Sequence, residues 1–201
     1  MTVRAVVFDI GGVLEITPRL GITEKWEAKL DLKPGELDDR LESVWGDGSI
    51  GTITETQVHQ RIGEIMDMSE AEVNAFMDDV WTEYLGTPNI ELTAYFKSLR
   101  PPYQTTIISN SFVGAREKEQ ARYGFEDITD LIVYSHEVGM SKPDPRIFAL
   151  ACDRLGIQPA EMIFLDDVEV IVAAAQKFGI QAVQFKDNAQ AISEIQALLN
   201  R

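Results

Sequence analysis

The sequence is poor in the side chains that build disulfides and zinc sites. It contains one cysteine, Cys152, and two histidines, His59 and His136. A single thiol cannot form an internal disulfide, and the two histidines do not stand in a metal-binding spacing. Cys152 lies in the helical pattern IFALACDRLG, which predicts a buried helix residue. The composition therefore excludes a disulfide scaffold and argues against zinc chemistry.

Basic residues are also scarce. The chain has 18 Lys and Arg against 33 Asp and Glu, which gives a formal net charge of −15 at pH 7. Nucleic-acid backbones require a basic protein surface, so we expect no nucleic-acid partner. A small phosphorylated substrate stays compatible with this charge, because a metal ion and one or two lysines can reverse the local field.

Long apolar runs are missing as well. No run approaches the length of a membrane span and no charged-then-apolar leader is present, which predicts a cytoplasmic protein without a membrane partner. Hydrophobic residues make up 45% and charged residues 25%, a balance typical of soluble globular proteins. The 201 residues allow one full domain and a small appendage. Nothing in the sequence indicates an oligomeric state.

A long helical block follows the first predicted strand, which covers about residues 3–8. Apolar residues at helical spacing predict helices over 19–32, 34–44, 54–66 and 69–85. Pro34 suits a first helical turn, SEAE from Ser69 is a capping-box pattern, and the glycines of 46–54 predict a loop. We expect residues 17–87 to form an all-helical cap domain inserted after the first strand.

Short apolar runs alternate with helical patterns in the rest of the chain. Strands are predicted at 105–109, 131–135, 162–165 and 181–185, and helices at 90–99, 113–123, 143–155, 168–178 and 189–199. Gly156 and Gly179 fit helix C-terminal caps. This alternation predicts an α/β fold with a doubly wound parallel-sheet (Rossmann-like) core, made of residues 1–16 and 88–201.

Chemically useful side chains stand at the ends of four predicted strands. They are Asp9 after the first strand, Ser109 and Asn110 after the second, Lys142 after the third, and Asp166 with Asp167 after the fourth. Each alone has a simpler interpretation as a turn former, helix cap or solvated charge. Ligands of such sheets bind beyond the carboxyl ends of the strands, so the convergence favours one functional site.

Phosphoryl transfer gives this set of residues a common purpose. Carboxylates of Asp9 and Asp166 would hold Mg²⁺. The metal would screen the repulsion between the negative phosphate and the attacking Asp9 oxygen. Lys142 would balance the remaining charge, while Ser109 and the neighbouring Asn110 would bind phosphoryl oxygens. The sequence therefore predicts a Mg²⁺-dependent phosphatase that forms an aspartyl-phosphate and acts on a small phosphorylated metabolite.

Four stretches, FDIGGVL, IISNS, SKPDPRIF and FLDD, stand in the order of four sequence motifs of a known family. The chain resembles the haloacid dehalogenase-like hydrolase superfamily, and its helical block is similar to the cap of subfamily I. The resemblance implies Asp9 as nucleophile and magnesium bound by Asp9, Asp166 and the main-chain carbonyl of Gly11. It also implies phosphate contacts from Ser109 and Lys142, with support from Asp167.

Two positions depart from the pattern of the family. Its phosphatases usually carry a second acid two residues after the nucleophile, which protonates the leaving group, and here that residue is Gly11. The fourth motif often has an asparagine where this chain has Ile171. Glu15 is one candidate replacement donor, although a solvated loop acid is the simpler interpretation.

Two other functions stay open at this point. The first is a binding or regulatory protein that keeps the fold with weakened catalysis. The second is a haloacid dehalogenase-type hydrolase, which works without metal; the pair Asp166–Asp167 and the lack of an aromatic residue at position 11 count against it. The substrate is not readable, although segments 16–22 and 45–53 are expected to face the site. Arg116 is a candidate contact for a substrate oxygen, although an exposed helix arginine is the simpler interpretation.

Overall fold

Seven strands make up two sheets in the computed structural model of the protein, which describes residues 2–200. The larger sheet has five parallel strands in the order β5-β4-β1-β6-β7. The strands are β1 (Ala5–Phe8), β2 (Glu15–Ile16), β3 (Thr87–Pro88), β4 (Gln104–Ser109), β5 (Leu131–Tyr134), β6 (Met162–Asp166) and β7 (Gln181–Gln184). Strands β2 and β3 form a separate antiparallel pair.

Ten helices accompany these strands in the described residues. They are α1 (Ile22–Lys29), α2 (Glu36–Ser49), α3 (Glu55–Met66), α4 (Glu70–Leu85), α5 (Ile90–Ser98), α6 (Ala115–Tyr123), α7 (Ser135–Val138), α8 (Pro145–Leu155), α9 (Glu169–Phe178) and α10 (Asn188–Leu199). None of them combines the length and apolar character that a bilayer-spanning helix needs.

The parallel sheet is covered on both faces, which confirms the predicted doubly wound α/β fold. Strand side chains alternate between the faces. Val6 and Phe8 of β1 join one hydrophobic cluster, which includes residues of α5 and α10. Ala5 and Val7 join a second cluster, which includes residues of α8 and α9. An unbroken apolar run such as AVVF is therefore required, because both faces of this strand are buried.

Helices α1 to α4 lie between β2 and β3 and surround a third cluster. Trp26, Leu41, Val58 and Met77 are buried there. The proposal that residues 17–87 form a separate cap domain rests on this cluster, which also takes in Ala115 of α6. The antiparallel pair β2–β3 joins the points where the chain leaves and re-enters the sheet region, and two-residue strands of this kind left no periodic signal in the sequence.

Part of one predicted loop is helical in the structure. Helix α2 continues through Gly46 and Gly48 to Ser49, so the loop predicted from residue 46 is wrong for its first four residues. A Cβ atom at Gly48 would overlap the Phe112 ring. Glycine is thus needed in this helix for close packing, and that contact outweighs its low helix propensity.

Helix starts also differ from the prediction. Helix α2 begins at Glu36 after Gly35, so Pro34 precedes it. Pro145, not Pro143, occupies the first turn of α8, since the Asp144 side chain accepts the N–H of Arg146 and caps the helix there. Helix α1 is shorter than the predicted 19–32, and the short helix α7 was not predicted.

The predicted caps are confirmed. Ser69 and Glu72 bond each other's backbone N–H groups in a capping box at the start of α4. Gly156 and Gly179 end α8 and α9 with left-handed φ values of 63° and 102°.

The Phe8–Phe96 stack provides a test of the core. The two rings are stacked with centroids 4.6 Å apart, and Phe96 of α5 is fully buried. We expect Phe96→Ala to lower the free energy of unfolding by about 3–5 kcal/mol, because it leaves a cavity under the sheet. Ile90→Ala on the same helix is the control, since Ile90 is 75% exposed and should change stability by no more than about 0.5 kcal/mol. Denaturant unfolding measures both, and equal losses would contradict the assignment.

Candidate active site

The sheet order brings the predicted site residues to one edge. Strand β1 lies between β4 and β6, so Asp9 just past β1 stands between the ends of those two strands. Asp166 is the last residue of β6 and Ser109 the last of β4. The Asp9 N–H donates to the Leu165 carbonyl at 2.9 Å, which continues the parallel ladder up to the acid.

Lys142 joins the two buried acids of this edge. Its Nζ lies 2.8 Å from Asp9 Oδ1 and 2.7 Å from Asp166 Oδ2. Lys142 is 3% exposed and Asp166 is fully buried. A buried ammonium group is tolerated when opposite charges pair with it, and the two carboxylates meet that condition.

Asn110 fixes the backbone that carries Lys142. Its Nδ2 donates to the Lys142 carbonyl at 2.9 Å, and its Oδ1 accepts the Lys142 N–H at 2.7 Å. Both polar atoms of the amide are thus used in positioning the lysine. Ser109 is 2% exposed, and its Oγ lies 3.5 Å from the Asn110 carbonyl. Direct contact of Asn110 or Ser109 with a substrate stays a prediction.

Three carboxylates form a set of hard oxygen donors. Asp9, Asp166 and Asp167 each offer one oxygen atom, and these atoms all lie within 4.8 Å of one another. The acids outnumber the single ammonium group of Lys142 by two, so two negative charges stay uncompensated when all are ionised. This donor set and this charge fit a divalent cation such as Mg²⁺.

The pKa directions reflect the same surplus of acid. Burial raises the pKa of Asp9 to about 7; Lys142 opposes the rise, and the Asp166 charge adds to it. Burial and the Asp166 charge also raise the pKa of Asp167. A cation held between these groups would favour their ionised forms.

Backbone hydrogen bonds orient the acids. Asp9 Oδ1 accepts the Ile10 N–H at 2.8 Å in addition to the Lys142 contact. Asp166 Oδ1 accepts the Val168 N–H at 2.9 Å. Within the described part of the chain, the bonds to the Asp9 carboxylate all go to Oδ1, and Oδ2 accepts none.

The two glycines after Asp9 have different reasons to be glycine. Gly12 has a φ of 73°, and a Cβ there would overlap the Asp167 carboxylate. The left-handed backbone and the close approach both require glycine. Gly11 is exposed, and a Cβ there would meet no atom within 4 Å. Packing does not forbid an acid at position 11.

Two cavities adjoin at this edge. The Asp9 cavity, of about 430 Å³, contains Asp9, Gly11, Lys142 and Asp167 in its wall. The aromatic cavity, of about 440 Å³, is lined mostly by α1, α2, α4 and the segment after β4. The cavities share Thr17 and Asn110. The segments expected to face the site contribute Ile16, Thr17 and Ile22, and Trp45 and Ser49.

Glu15 is not a solvated loop acid, contrary to the simpler interpretation of the sequence. It is 2% exposed, its Oε2 accepts from Thr17 Oγ1 at 2.8 Å, and burial raises its pKa to about 7. Its Oε1 is buried without a hydrogen-bond partner among residues 2–200. Glu15 does not belong to the wall of the Asp9 cavity as described, which weighs against it as the proton donor.

Arg116 is engaged in ion pairs at the surface. Its guanidinium contacts Glu137 and Glu126, each at 2.5 Å. Ile171, at the position where the family often has asparagine, is 6% exposed and lies in the wall of the Asp9 cavity.

The sequence does not predict one buried acid, which lies in α6. Glu119 is 1% exposed, and Tyr134 Oη donates to its Oε2 at 2.5 Å. Burial raises the pKa of Glu119 to about 7, against hydrogen bonds from Tyr134 and Tyr84. The sequence AREKEQARY is typical of a surface helix, because charged residues occur all along it. Nothing in this local pattern indicates that Glu119, among its charged residues, is the buried one.

Comparison with known proteins settles the family. A sequence model of the family described as haloacid dehalogenase-like hydrolase matches residues 3–179. The chain belongs to this family. The expected membership is confirmed.

Curated relatives of this hydrolase differ in length. Acyl-CoA dehydrogenase family member 10 of mouse is 27% identical over 205 residues, which cover 98% of this chain and 19% of that protein. Bifunctional epoxide hydrolase 2 of pig is 26% identical over 219 residues, covering 98% and 39%. The chain thus spans about a fifth to two fifths of these two relatives. D-ribitol-5-phosphate phosphatase of Bacteroides thetaiotaomicron is 22% identical over 213 residues, covering 98% and 99%.

Solved structures share the fold of the hydrolase. A family enzyme from Bacteroides thetaiotaomicron, in complex with magnesium and inorganic phosphate, superposes with a TM-score of 0.76 at 26% identity, covering 92% of this chain and 94% of that one. A 2-haloacid dehalogenase from Pseudomonas syringae superposes with a TM-score of 0.70 at 18% identity, covering 100% and 99%. The second likeness concerns the fold alone.

Glu119 gives a test of the buried acids through pH. Its pKa of about 7 in the folded hydrolase lies above its ordinary value of 4.5, so the unfolded chain releases this proton first as pH rises. The contribution is therefore complete below about pH 4.5 and lost by about pH 7, with a size of about 3 kcal/mol. We expect Glu119→Gln to gain stability relative to wild type between pH 5 and pH 8 in denaturant unfolding. Glu117→Gln, exposed on the same helix, is the matched control; a pH-independent difference for Glu119→Gln would contradict this account.

Proposed function

We propose that the protein is a Mg²⁺-dependent phosphatase that acts on a small phosphorylated metabolite through an aspartyl-phosphate intermediate. The observation that carries the proposal is the buried contact of Lys142 with Asp9 and Asp166 beside the third carboxylate of Asp167. The phosphatase among the relatives and the magnesium and phosphate complex of the structural neighbour support it.

The donor set names the residues that would hold the metal. Asp9 and Asp166 would bind Mg²⁺ with support from Asp167, and the family resemblance adds the main-chain carbonyl of Gly11 as a ligand. When bound, the ion supplies positive charge that offsets the phosphate and fixes its orientation. The surplus of two carboxylates over Lys142 gives the site this requirement for a cation.

Asp9 Oδ2 performs the first step. It forms a bond to phosphorus while the ester oxygen departs with its bonding electron pair. The Lys142 ammonium group and the Ser109 hydroxyl donate hydrogen bonds to the phosphoryl oxygens as charge shifts towards them. Attack of water on the phosphorus of the aspartyl-phosphate then releases inorganic phosphate and regenerates Asp9.

The departing oxygen receives no proton from position 11. A positioned acid contributes typically ~10²–10⁴-fold to such a step, and Gly11 has no side chain to supply it. The chemistry of this site is therefore efficient only for a group that leaves well as an anion. The same feature favours a second candidate, a protein that binds phosphate with weakened catalysis.

Replacing the nucleophile tests the first proposal. We expect wild type with Mg²⁺ to hydrolyse p-nitrophenyl phosphate, and Asp9→Asn to fall to the background rate because the amide cannot form the aspartyl-phosphate. EDTA should remove the activity, and Asp153→Asn, exposed on α8, is the matched control.

Two further measurements separate the alternatives. Binding of inorganic phosphate without Asp9-dependent turnover on a broad phosphate panel would overturn the phosphatase proposal in favour of the binding protein. Release of chloride from 2-haloacids in the presence of EDTA would instead identify the metal-free dehalogenase.

Restoring an acid at position 11 tests the missing proton. We expect Gly11→Asp to fold normally, since a Cβ there meets no atom within 4 Å, and to raise kcat on alkyl phosphates by about 10²–10⁴-fold. Gly11→Asn is the isosteric control that cannot donate the proton as an acid. Equal rates for the two variants would show that proton transfer does not limit this hydrolase.

A further inference from the structure

The aromatic cavity opens beside the nucleophile. It meets the Asp9 cavity at Thr17 and Asn110, and Asn110 also holds Lys142 in place. A phosphate bound at Asp9 therefore has the aromatic cavity as its neighbouring space for the leaving group. The volume of about 440 Å³ lies within the range of small-molecule sites.

Aromatic rings form much of its wall. They belong to Trp45, Phe76, Trp81, Tyr84 and Phe112. The ring centroid of Phe112 lies 5.7 Å from that of Trp45 and 6.2 Å from that of Trp81, and Trp45 lies 6.1 Å from Phe76. These contacts fix the rings in advance, because each ring is packed against its neighbours.

An aromatic stripe on helices is most often part of the core, and Phe76 and Trp81 do belong to the third cluster. Leu37 of the wall belongs to it as well, and the other five apolar wall residues differ. Trp45, Val80 and Phe112 are only partly buried against that cluster, and so are Ile22 and Tyr84. All five contribute to the cavity wall. This surface is left open by the core and faces the site.

The charged residues of the wall are acidic. Asp38 and Glu83 line the aromatic cavity, and no lysine or arginine does so within residues 2–200. A substrate with a second phosphate or a carboxylate would meet repulsion here. A neutral ring would instead exchange water for apolar surface, which favours binding.

Position 11 gives an independent indication of the same kind. Without an acid there, the leaving oxygen departs as an anion, so a weakly basic oxygen is favoured. A phenolic oxygen meets this condition because its charge is delocalised over the ring. On the basis of the phosphatase function proposed above, we propose that the natural substrate is an aryl phosphate whose aryl group carries no charge: a phosphate monoester whose leaving group is a neutral phenol, with its ring seated in the aromatic cavity.

One pair of substrates tests the cavity separately from the chemistry. Benzyl phosphate and glucose 6-phosphate both leave through an alkyl oxygen, and only the first carries an apolar ring. We expect the KM of benzyl phosphate to be about 10- to 100-fold lower, as expected for burying one ring. An equal or lower KM for glucose 6-phosphate would overturn the aryl-phosphate assignment and leave the phosphatase function standing.

A series of substituted phenyl phosphates tests the leaving oxygen. We expect kcat/KM of wild type, which reports the step in which the phenol leaves, to rise steeply as the phenol becomes more acidic, and Gly11→Asp to flatten this dependence. A flat dependence in wild type would overturn the assignment. Absence of Asp9-dependent turnover on every phosphate ester would overturn the proposed function, and the assignment with it.

Variants of the wall test its chemistry. Val80→Gln places an uncharged polar amide in the aromatic cavity and should raise the KM of benzyl phosphate about tenfold. Ser49→Gln does the same from α2, and glutamine favours helix formation, so a second wall variant is available if Val80→Gln fails to fold. Val170→Gln on α9 is the control, since Val170 is 62% exposed and outside the wall. An unchanged KM in a folded wall variant would overturn the assignment.

Discussion

The ion contacts of Lys142 are the constraint on which the rest of the site depends. Its Nζ lies within 2.8 Å of carboxylate oxygens from the ends of two adjacent strands. Each partner needs the other, because a buried ammonium group and two buried acids are each unfavourable alone. The Asn110 side chain forms two hydrogen bonds with the Lys142 backbone. These contacts connect the loop before α8 to the ends of β1, β4 and β6.

At this edge of the sheet the carboxylates outnumber the ammonium group of Lys142. Asp167 adds a third carboxylate, and Gly12 is the residue that lets the backbone pass close to it. Two further buried acids respond to this site, since the Asp9 charge contributes to the raised pKa values of Glu15 and Glu119. A further cation between these groups would offset the surplus of acid, and under the proposed function it would let this acidic protein bind a phosphate.

Sequence reasoning predicted what local patterns encode. Buried strands appear in the sequence as apolar runs, and parallel strands bring their carboxyl ends to one edge, so the sequence predicts that Asp9, Lys142 and Asp166 lie together. Contacts between distant segments were not predictable in this way. Gly48 is helical because it packs on Phe112, and the charge of Glu119 is covered by tyrosines from other elements. Neither partner can be read from the neighbouring residues.

The missing acid at Gly11 and the aromatic cavity favour the same kind of substrate. Where a family member carries an acid beside its nucleophile, the protein activates the leaving group and many alcohols suffice. Under the proposed function that task passes to the substrate, because Glu15 does not line the Asp9 cavity and its unpaired oxygen is buried. A substrate that supplies a stable anion must then be recognised by its leaving group. The cavity wall of rings and acids, which favours a neutral ring and opposes a second anion, meets that demand.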